Sequence, residues 1–505
     1  MRRGRLRTAA ALFVLIVSVY LLTAAGRFAN IDAESMFDVT RSLYTRGSLA
    51  VDDCSLYPSL QCVRGVDGRQ YSAYGVVPSI AALPFFAAGR LAGQQFGVNP
   101  DLVAAASVSF MNSLVGALAC VLFFLWAART GYSIRESALA TILLAFATPL
   151  WFHSTKEFYS EPLFALLLVG SFASLRSVSS RGSAAAAGLL FGLAVGTRVF
   201  GLMYLPILAG YAYLVSTGSD AGATSIESSR KSAVARTSSF LFVALICLAG
   251  LGMLNAARFG SPFNTGYHLV LPTIGLAFST PPLVGLWRIL FDGEVGLAWF
   301  SPLIFLIPFA WPRFHRQHRI ESCVCLGVAG STMIFFAAYT YWHGGWSYGP
   351  RLLTPILPFL IFPLVPFLSK SHAARPMFMR AGILVILIAV TVQVIGIVPP
   401  YSRHYYLQTW YRANGEDPWI QKSALVENAV AFPKVLSYAA GASAGVNRAD
   451  RYLSTVQNSV NQLAPDIWWI KAGMLGAPWR LLGPFLLVLS AFAVAAGFRL
   501  RREIS

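Results

Sequence analysis

Two carboxylates, Asp32 and Glu34, stand a few residues beyond the first apolar run, Ala9 to Ala25. Holding a charge at the edge of hydrocarbon is costly unless it meets water, a counter-charge or a ligand, so each such group is a candidate for function. A carboxylate there has two uses: it takes a proton from a hydroxyl, or it holds a cation. Three further polar stretches interrupt the apolar sequence: His153 to Pro162 (HSTKEFYSEP), Gly196-Thr197-Arg198-Val199, and Tyr341 to Arg351 (YWHGGWSYGPR).

In the first of these, His153 and Lys156 carry the charge to hold a phosphate, and Glu157 or Glu161 suits a metal or a hydroxyl. The plain alternative is a solvated turn in which Pro162 opens the next helix. In the last, glycines allow backbone to approach a ligand closely, aromatic rings offer flat apolar faces, and the always-charged Arg351 suits a phosphate. Trp and Tyr also gather at membrane interfaces without any ligand, and an arginine can snorkel to the headgroups, which is the competing reading for Arg351 and Arg198 alike. Arg258-Phe259-Gly260-Ser261-Pro262 to Tyr267 and Asp292-Gly293-Glu294 complete the polar set with a weaker signal.

The elements that must position these groups are membrane spans. The chain has 505 residues, of which only 12% are charged, and its mean hydropathy is +0.60, which excludes an ordinary soluble domain. Twelve apolar runs are candidate helices: Ala9 to Ala25, Ala104 to Ala127, Ser137 to Phe152, Leu163 to Leu175, Ala184 to Val195, Phe200 to Val215, Ser239 to Ala256, Leu297 to Trp311, Cys323 to Tyr339, Leu352 to Leu368, Ile383 to Val398 and Leu481 to Phe498. Several fall short of the about twenty residues a span needs and must borrow from their flanks. The expected fold is an all-α polytopic membrane protein of about twelve transmembrane helices.

The net charge of +18 does not point to nucleic acid, because the basic residues lie in short clusters between apolar runs, as the positive-inside rule requires. If all twelve runs span, every cluster falls on one side. Both termini are then cytoplasmic, and loops 26–103, 153–162, 257–296, 340–351 and 399–480 face outward, carrying the polar stretches named above except Gly196 to Val199, which sits between two short runs with almost no loop. A further run, Val76 to Leu91, would reverse that charge order if it spanned, so it is expected to lie along the interface. Arg2 to Arg7, the apolar core and Thr23-Ala24-Ala25 also fit a cleavable signal, but losing this run would break the parity of the spans, and a retained anchor is expected. Cys54 and Cys62 share the first outward loop, where a disulfide is open to them; Cys120, Cys247, Cys323 and Cys325 fall in spans. The expected division is residues 1–398 as a transmembrane module, 399–480 as an outward loop or small lid, and 481–505 as the last span and its tail.

These stretches, in this order and on one side, resemble the GT-C superfamily of polytopic glycosyltransferases that use lipid-linked sugars, in particular the branch of the lipid A aminoarabinose transferases and protein O-mannosyltransferases. The likeness covers Phe28 to about Arg351, with a looser likeness through the last span. Asp32-Ala33-Glu34 is similar to the acidic pair that opens the family's first outward loop, with one residue inserted and Phe37 where a tyrosine is usual. Tyr71 to Pro78, Tyr159-Ser160-Glu161-Pro162, Thr197-Arg198 and Gly345 to Arg351 are similar to later motifs.

The resemblance implies transfer from a polyprenyl-phosphate sugar to an acceptor hydroxyl on a cell-envelope glycan, lipid or protein, with inversion, at the outer face of a bacterial plasma membrane. It implies Asp32 or Glu34 as general base, with Asp32 preferred as the first acid after the span. Arg351, Lys156, Arg198 and His343 would hold the donor phosphate, and Tyr74, Tyr159, Glu161, Trp346 and Tyr348 the substrates. A divalent metal (Mg or Mn) between Asp32, Glu34 or Glu161 and the phosphate is compatible with this set. A transporter or flippase is the competing class, but the chain shows no internal duplication and its polar groups gather at one face rather than mid-bilayer.

Overall fold

The computed structural model describes residues 2–52, 62–177, 180–219, 226–270, 277–369, 376–416, 423–441, 452–454 and 461–504. The chain is a helical integral membrane protein. Nine helices among the described residues are long and apolar enough to cross a membrane, and eight of them coincide with expected runs. The other four expected runs are shorter or broken. Ser137 to Phe152 divides at Thr148-Pro149, Leu163 to Leu175 lies in a helix of 16 residues, Ala184 to Val195 in one of 17, and Leu297 to Trp311 is cut into short pieces. The last break accompanies proline: Pro302 opens a 3-10 turn and Pro308 the first turn of the α-helix after it, and between Arg351 and Leu368 Pro355, Pro363 and Pro366 lie in 3-10 turns with Pro358 opening a short α-helix between them.

Helix α1, Arg2–Thr23, is followed after a short link by α2, Ile31–Arg46. Asn30 caps α2 by accepting from Asp32 N–H at 2.8 Å, and Gly47, left-handed at φ 65, stops it. Asp32 and Glu34 both sit in its first turn, where the positive end of the helix dipole favours carboxylates. Three short antiparallel strands follow, β1 Ala50–Val51, β2 Cys62–Arg64 and β3 Gln70–Ser72, with β3 in the middle. Cys62 is disulfide-bonded, the four span cysteines are free, and Cys54 lies outside the described residues.

Helix α3, Val76–Phe96, runs past the expected end at Leu91 and is one of the nine long apolar helices. It packs against α4, Pro100–Ser109, as a hairpin. Glycine makes the close contact: a Cβ at Gly89 would lie 2.5 Å from the Ala104 Cα, and one at Gly93 2.6 Å from the Pro100 Cα. Both ends of this hairpin stand at one level. Gly75, which opens α3, is against the backbone of Gly196 and Thr197, and Asn112, just after α4, donates to the carbonyls of Glu157 and Tyr159. Those contacts lie at the C-terminal end of the helix Arg181–Thr197 and just before the N-terminal end of the helix Ser160–Leu175. The 10 residues of α4 rise about 15 Å, half the hydrocarbon thickness, and α4 runs on through Phe110 into the next helix, Met111–Thr130, with Pro100–Thr130 together being long enough to cross.

The helices that carry the site are α5 (Met111–Thr130), α6 (Ile134–Phe146), the short α7 (Leu150–Thr155), α8 (Ser160–Leu175) and α9 (Arg181–Thr197). Their centre is aromatic, with Trp126 against Phe362 at 4.1 Å and Phe172 at 5.6 Å. The C-terminal outward segment supplies helices Ser402–Ala413, Ala424–Ala439 and Trp468–Met474 before the last helix, Trp479–Ile504, packs beside α1.

Candidate active site

Asp32, in the first turn of α2, meets Arg351, at the outer start of the Arg351–Leu368 span, with Nη2 2.8 Å from a carboxylate oxygen. The other oxygen accepts from the Tyr74 hydroxyl at 2.5 Å. Arg351 also stands 3.5 Å from Glu161, and Glu161 accepts from Arg198 at 2.5 Å. Arg198 in turn donates to Ser160 Oγ at 2.7 Å and to the Tyr267 hydroxyl. Two arginines and two carboxylates therefore alternate, drawn from α2, α8, the end of α9 and the Arg351 turn. Side-chain exposure is 15% for Asp32 against 6% for Arg351 and 2% for Glu161, which makes Asp32 the accessible acid.

Aromatic rings frame the charges. Arg351 lies over the Tyr159 ring at 4.9 Å, and Arg198 near the rings of Tyr74 and Tyr267 at 5.9 and 5.5 Å. Burial, then the nearby Asp32 carboxylate, raises the Tyr74 hydroxyl well above its usual range, so it stays protonated and donates. Nη1 of Arg351 is buried with no hydrogen-bond partner among the described residues. A buried guanidinium donor left open costs free energy, and it marks a place for an incoming acceptor such as a phosphate oxygen. Two residues further along α2, Glu34 is turned about 200° around the axis, away from the face that meets Arg351.

Lys156 belongs to a different cluster. Its ammonium donates to the carbonyls of Thr23 at 2.7 Å and Asp466 at 2.5 Å, tying the end of α1 to the C-terminal segment. Around it, Arg27 pairs with Asp466 at 2.7 Å and Glu157 at 3.7 Å, Lys471 pairs with Asp466, and Glu157 accepts from Ala29 N–H and the Tyr401 hydroxyl. Burial pulls Lys156 down to about 7 and pushes Glu157 up to about 7, while Arg27, Lys471 and Lys156 hold Asp466 below its usual range against its own burial. The expected phosphate role of Lys156 thus gives way to a latch, because both of its carbonyl partners are supplied by the fold.

The glycines of the 341–351 turn answer a backbone demand: Gly344, Gly345 and Gly349 have φ of 75, 81 and 82, the left-handed region. His343 accepts from Gly345 N–H at 3.1 Å and braces that turn. Tyr348 is fully buried, its hydroxyl on the Val392 carbonyl at 2.7 Å, so it packs rather than faces a substrate. Tyr159 presents its ring to Arg351 and its hydroxyl to the Trp346 carbonyl at 3.2 Å. Trp346 remains partly exposed. His153 is buried between Ser347 and Thr354 at 2.9 and 2.8 Å, and burial pulls it down to about 3, so it is neutral.

The metal expectation meets an unfavourable donor set. Asp32 and Glu161 already face guanidinium groups, and no three His, Cys, Asp or Glu side chains converge as a cation site among the described residues. Sequence reasoning gave Tyr267 only a weak place, in a polar stretch without a partner, and passed over Arg27 and Asp466. Arg27 follows the first span closely, which is a signal of the same kind as Asp32; Asp466 has no such neighbour in sequence.

No family model matches the chain, and no curated protein matches it. Solved structures do. ArnT from Cupriavidus metallidurans, bound to undecaprenyl phosphate, is 16% identical over 99% of this chain and 75% of its own, with a TM-score of 0.48. The Archaeoglobus fulgidus oligosaccharyltransferase AglB, in complex with an inhibitory peptide and a dolichol-phosphate, is 12% identical over 76% of this chain and 55% of its own, with a TM-score of 0.45. The S. cerevisiae protein O-mannosyltransferase complex bound to the sugar donor is 15% identical over 50% of this chain and 34% of its own, with a TM-score of 0.36. The chain thus spans about half the length of that oligosaccharyltransferase and a third of that mannosyltransferase.

Proposed function

We propose that the chain is a membrane glycosyltransferase that moves a sugar from a polyprenyl-phosphate donor to an acceptor hydroxyl on the outer face, with Asp32 as general base. The observation that carries this reading is the Asp32, Arg351, Glu161 and Arg198 alternation, with a buried Arg351 donor left open beside Asp32, the more accessible of the two acids in it. The acceptor oxygen forms a bond to the anomeric carbon from the face opposite the phosphate, and the bond from that carbon to the phosphate oxygen breaks. The acceptor proton passes to Asp32, and the electron pair leaves with the phosphate. Arg351, and Arg198 behind Glu161, stabilise the charge that develops on the leaving oxygen.

Glu161 then acts on geometry: it holds both guanidinium groups in place without approaching the acceptor. Residues 1–398 carry this chemistry, and 399–480 cover it, since Tyr401 and Asp466 reach the loops that bear Glu157 and Arg27. The test is purified protein given an undecaprenyl-phosphate sugar and a membrane-glycan extract, with release of undecaprenyl phosphate followed by mass spectrometry. Release that depends on Asp32 supports the reading. Movement of the intact lipid across vesicles without cleavage would instead make the chain a flippase.

A further inference from the structure

The turn at Gly344 to Trp346 presents a surface that proton transfer at Asp32 does not use. The Trp346 indole is 39% exposed and lies parallel to the Tyr405 ring, 5.1 Å and 7° away. Tyr406 meets it edge-on at 5.2 Å and 81°. One face of the indole is thus backed by protein and the other turned outward. Tyr405 fixes the turn beneath it: its hydroxyl donates to the Ser347 carbonyl at 2.8 Å and accepts from Ser347 N–H at 3.1 Å. On the same helix, His404, the residue before Tyr405, stands 3.8 Å from the Glu294 carboxylate, which is 36% exposed.

This surface adjoins the reacting groups. The Trp346 carbonyl accepts from Asn30 Nδ2 at 3.3 Å and from the Tyr159 hydroxyl at 3.2 Å. Asn30 caps the helix that carries Asp32, and the Tyr159 ring lies beneath Arg351. An indole held only for the membrane interface has no need of a hydrogen-bonded tyrosine behind it and a carboxylate beside it. A sugar ring needs both: an apolar face on which its C–H groups lie, and polar groups at the rim for its hydroxyls.

Resting on the transferase reading above, we infer that Trp346, backed by Tyr405 and flanked by Tyr406 and Glu294, is the acceptor subsite and that the acceptor is a carbohydrate. One sugar residue lies on the indole with hydroxyls toward Glu294, and the chain end reaches past Asn30 to Asp32.

The experiment is saturation-transfer-difference NMR on the full chain in detergent, without donor, using mannohexaose, arabinohexaose, galactohexaose and a Ser/Thr-rich nonapeptide as probes. At least one oligosaccharide is expected to receive saturation on its ring C–H groups. Trp346→Ala should weaken that binding by about tenfold, Trp346→Phe by much less, and Trp479→Ala, which removes an exposed tryptophan on the last helix, not at all. Saturation of the peptide alone, of none of the probes, or of an oligosaccharide equally in Trp346→Ala would overturn the assignment. Trp346→Phe guards against misfolding as the cause of a loss. Because no donor is present, a failure here leaves the transfer reaction itself to be tested separately, by undecaprenyl phosphate release.

Discussion

Arg351 Nη2 lies 2.8 Å from the carboxylate of Asp32, although a series of membrane helices separates the two residues in sequence. In the proposed reaction this pair places the acid that takes the proton beside the cation that meets the phosphate. Asp32→Asn keeps the shape and removes the basicity. Turnover should fall by about 10² to 10⁴, the range for loss of a general base, with undecaprenyl phosphate binding largely retained. Glu34→Gln, on the far side of α2, should keep near-native turnover. The pair of rates, measured on the same donor, decides between the two acids.

Arg351→Lys retains a positive charge but loses the fork that reaches both Asp32 and Glu161. Turnover should drop by about 10² to 10³, as for other single donors to a developing anion. Arg351→Ala should also unfold more readily, by about 3 to 5 kcal/mol, because two carboxylates lose the cation between them. Denaturant melts of the two variants separate charge from geometry.

Lys156 gives a pH signature. Its folded value is depressed from 10.5 to about 7 by burial, so its contribution to stability is present above 10.5 and lost as pH falls through 7. Wild-type Tm should therefore rise as pH is raised from about 7 towards 10. Lys156→Met should flatten that rise, with Lys471, depressed to about 8, supplying what remains. An equally steep rise in the variant would remove Lys156 from the latch.

Gly75→Ala would drive a Cβ into the Gly196 carbonyl and to 2.5 Å from that of Thr197. The start of α3 must then move away from the end of α9, carrying Tyr74 off Asp32 or Arg198 off Glu161. Transfer should fall by at least about tenfold with secondary structure unchanged by circular dichroism, since a small displacement of positioning groups is enough to lower a rate.

Charges stranded at the ends of apolar runs were legible from sequence, which is why Asp32, Arg198 and Arg351 stand together as candidates and meet in space. What the sequence could not tell was which charges serve the fold. Lys156 and His153 look like phosphate ligands because both are basic and outward; only the carbonyls of Thr23 and Asp466, and the hydroxyls of Ser347 and Thr354, show where their polar atoms are directed. Tyr348 looked like part of the aromatic face because it shares a turn with Trp346, yet left-handed glycines on either side of the two rings let one go inward and the other out. Val76 to Phe96 has the length and composition of a span, whereas the order of the basic clusters in sequence led to the expectation of a helix along the interface.

The contact between the first and last parts of the chain has a bearing on how the protein is made. Trp468 N–H and its indole reach the carbonyls of Ala24 and Leu21, the Trp469 indole reaches that of Leu22, and Asp466 neutralises Arg27 across 439 positions. At ribosomal rates of about 5 to 20 residues per second, α1 waits on the order of 20 to 90 seconds for these partners to emerge. A nascent chain stalled before Asp466 would hold Asp32 and Arg351 without the clasp that secures the first helix, which makes the emergence of the Asp466 segment, rather than insertion of any single span, the event that fastens it.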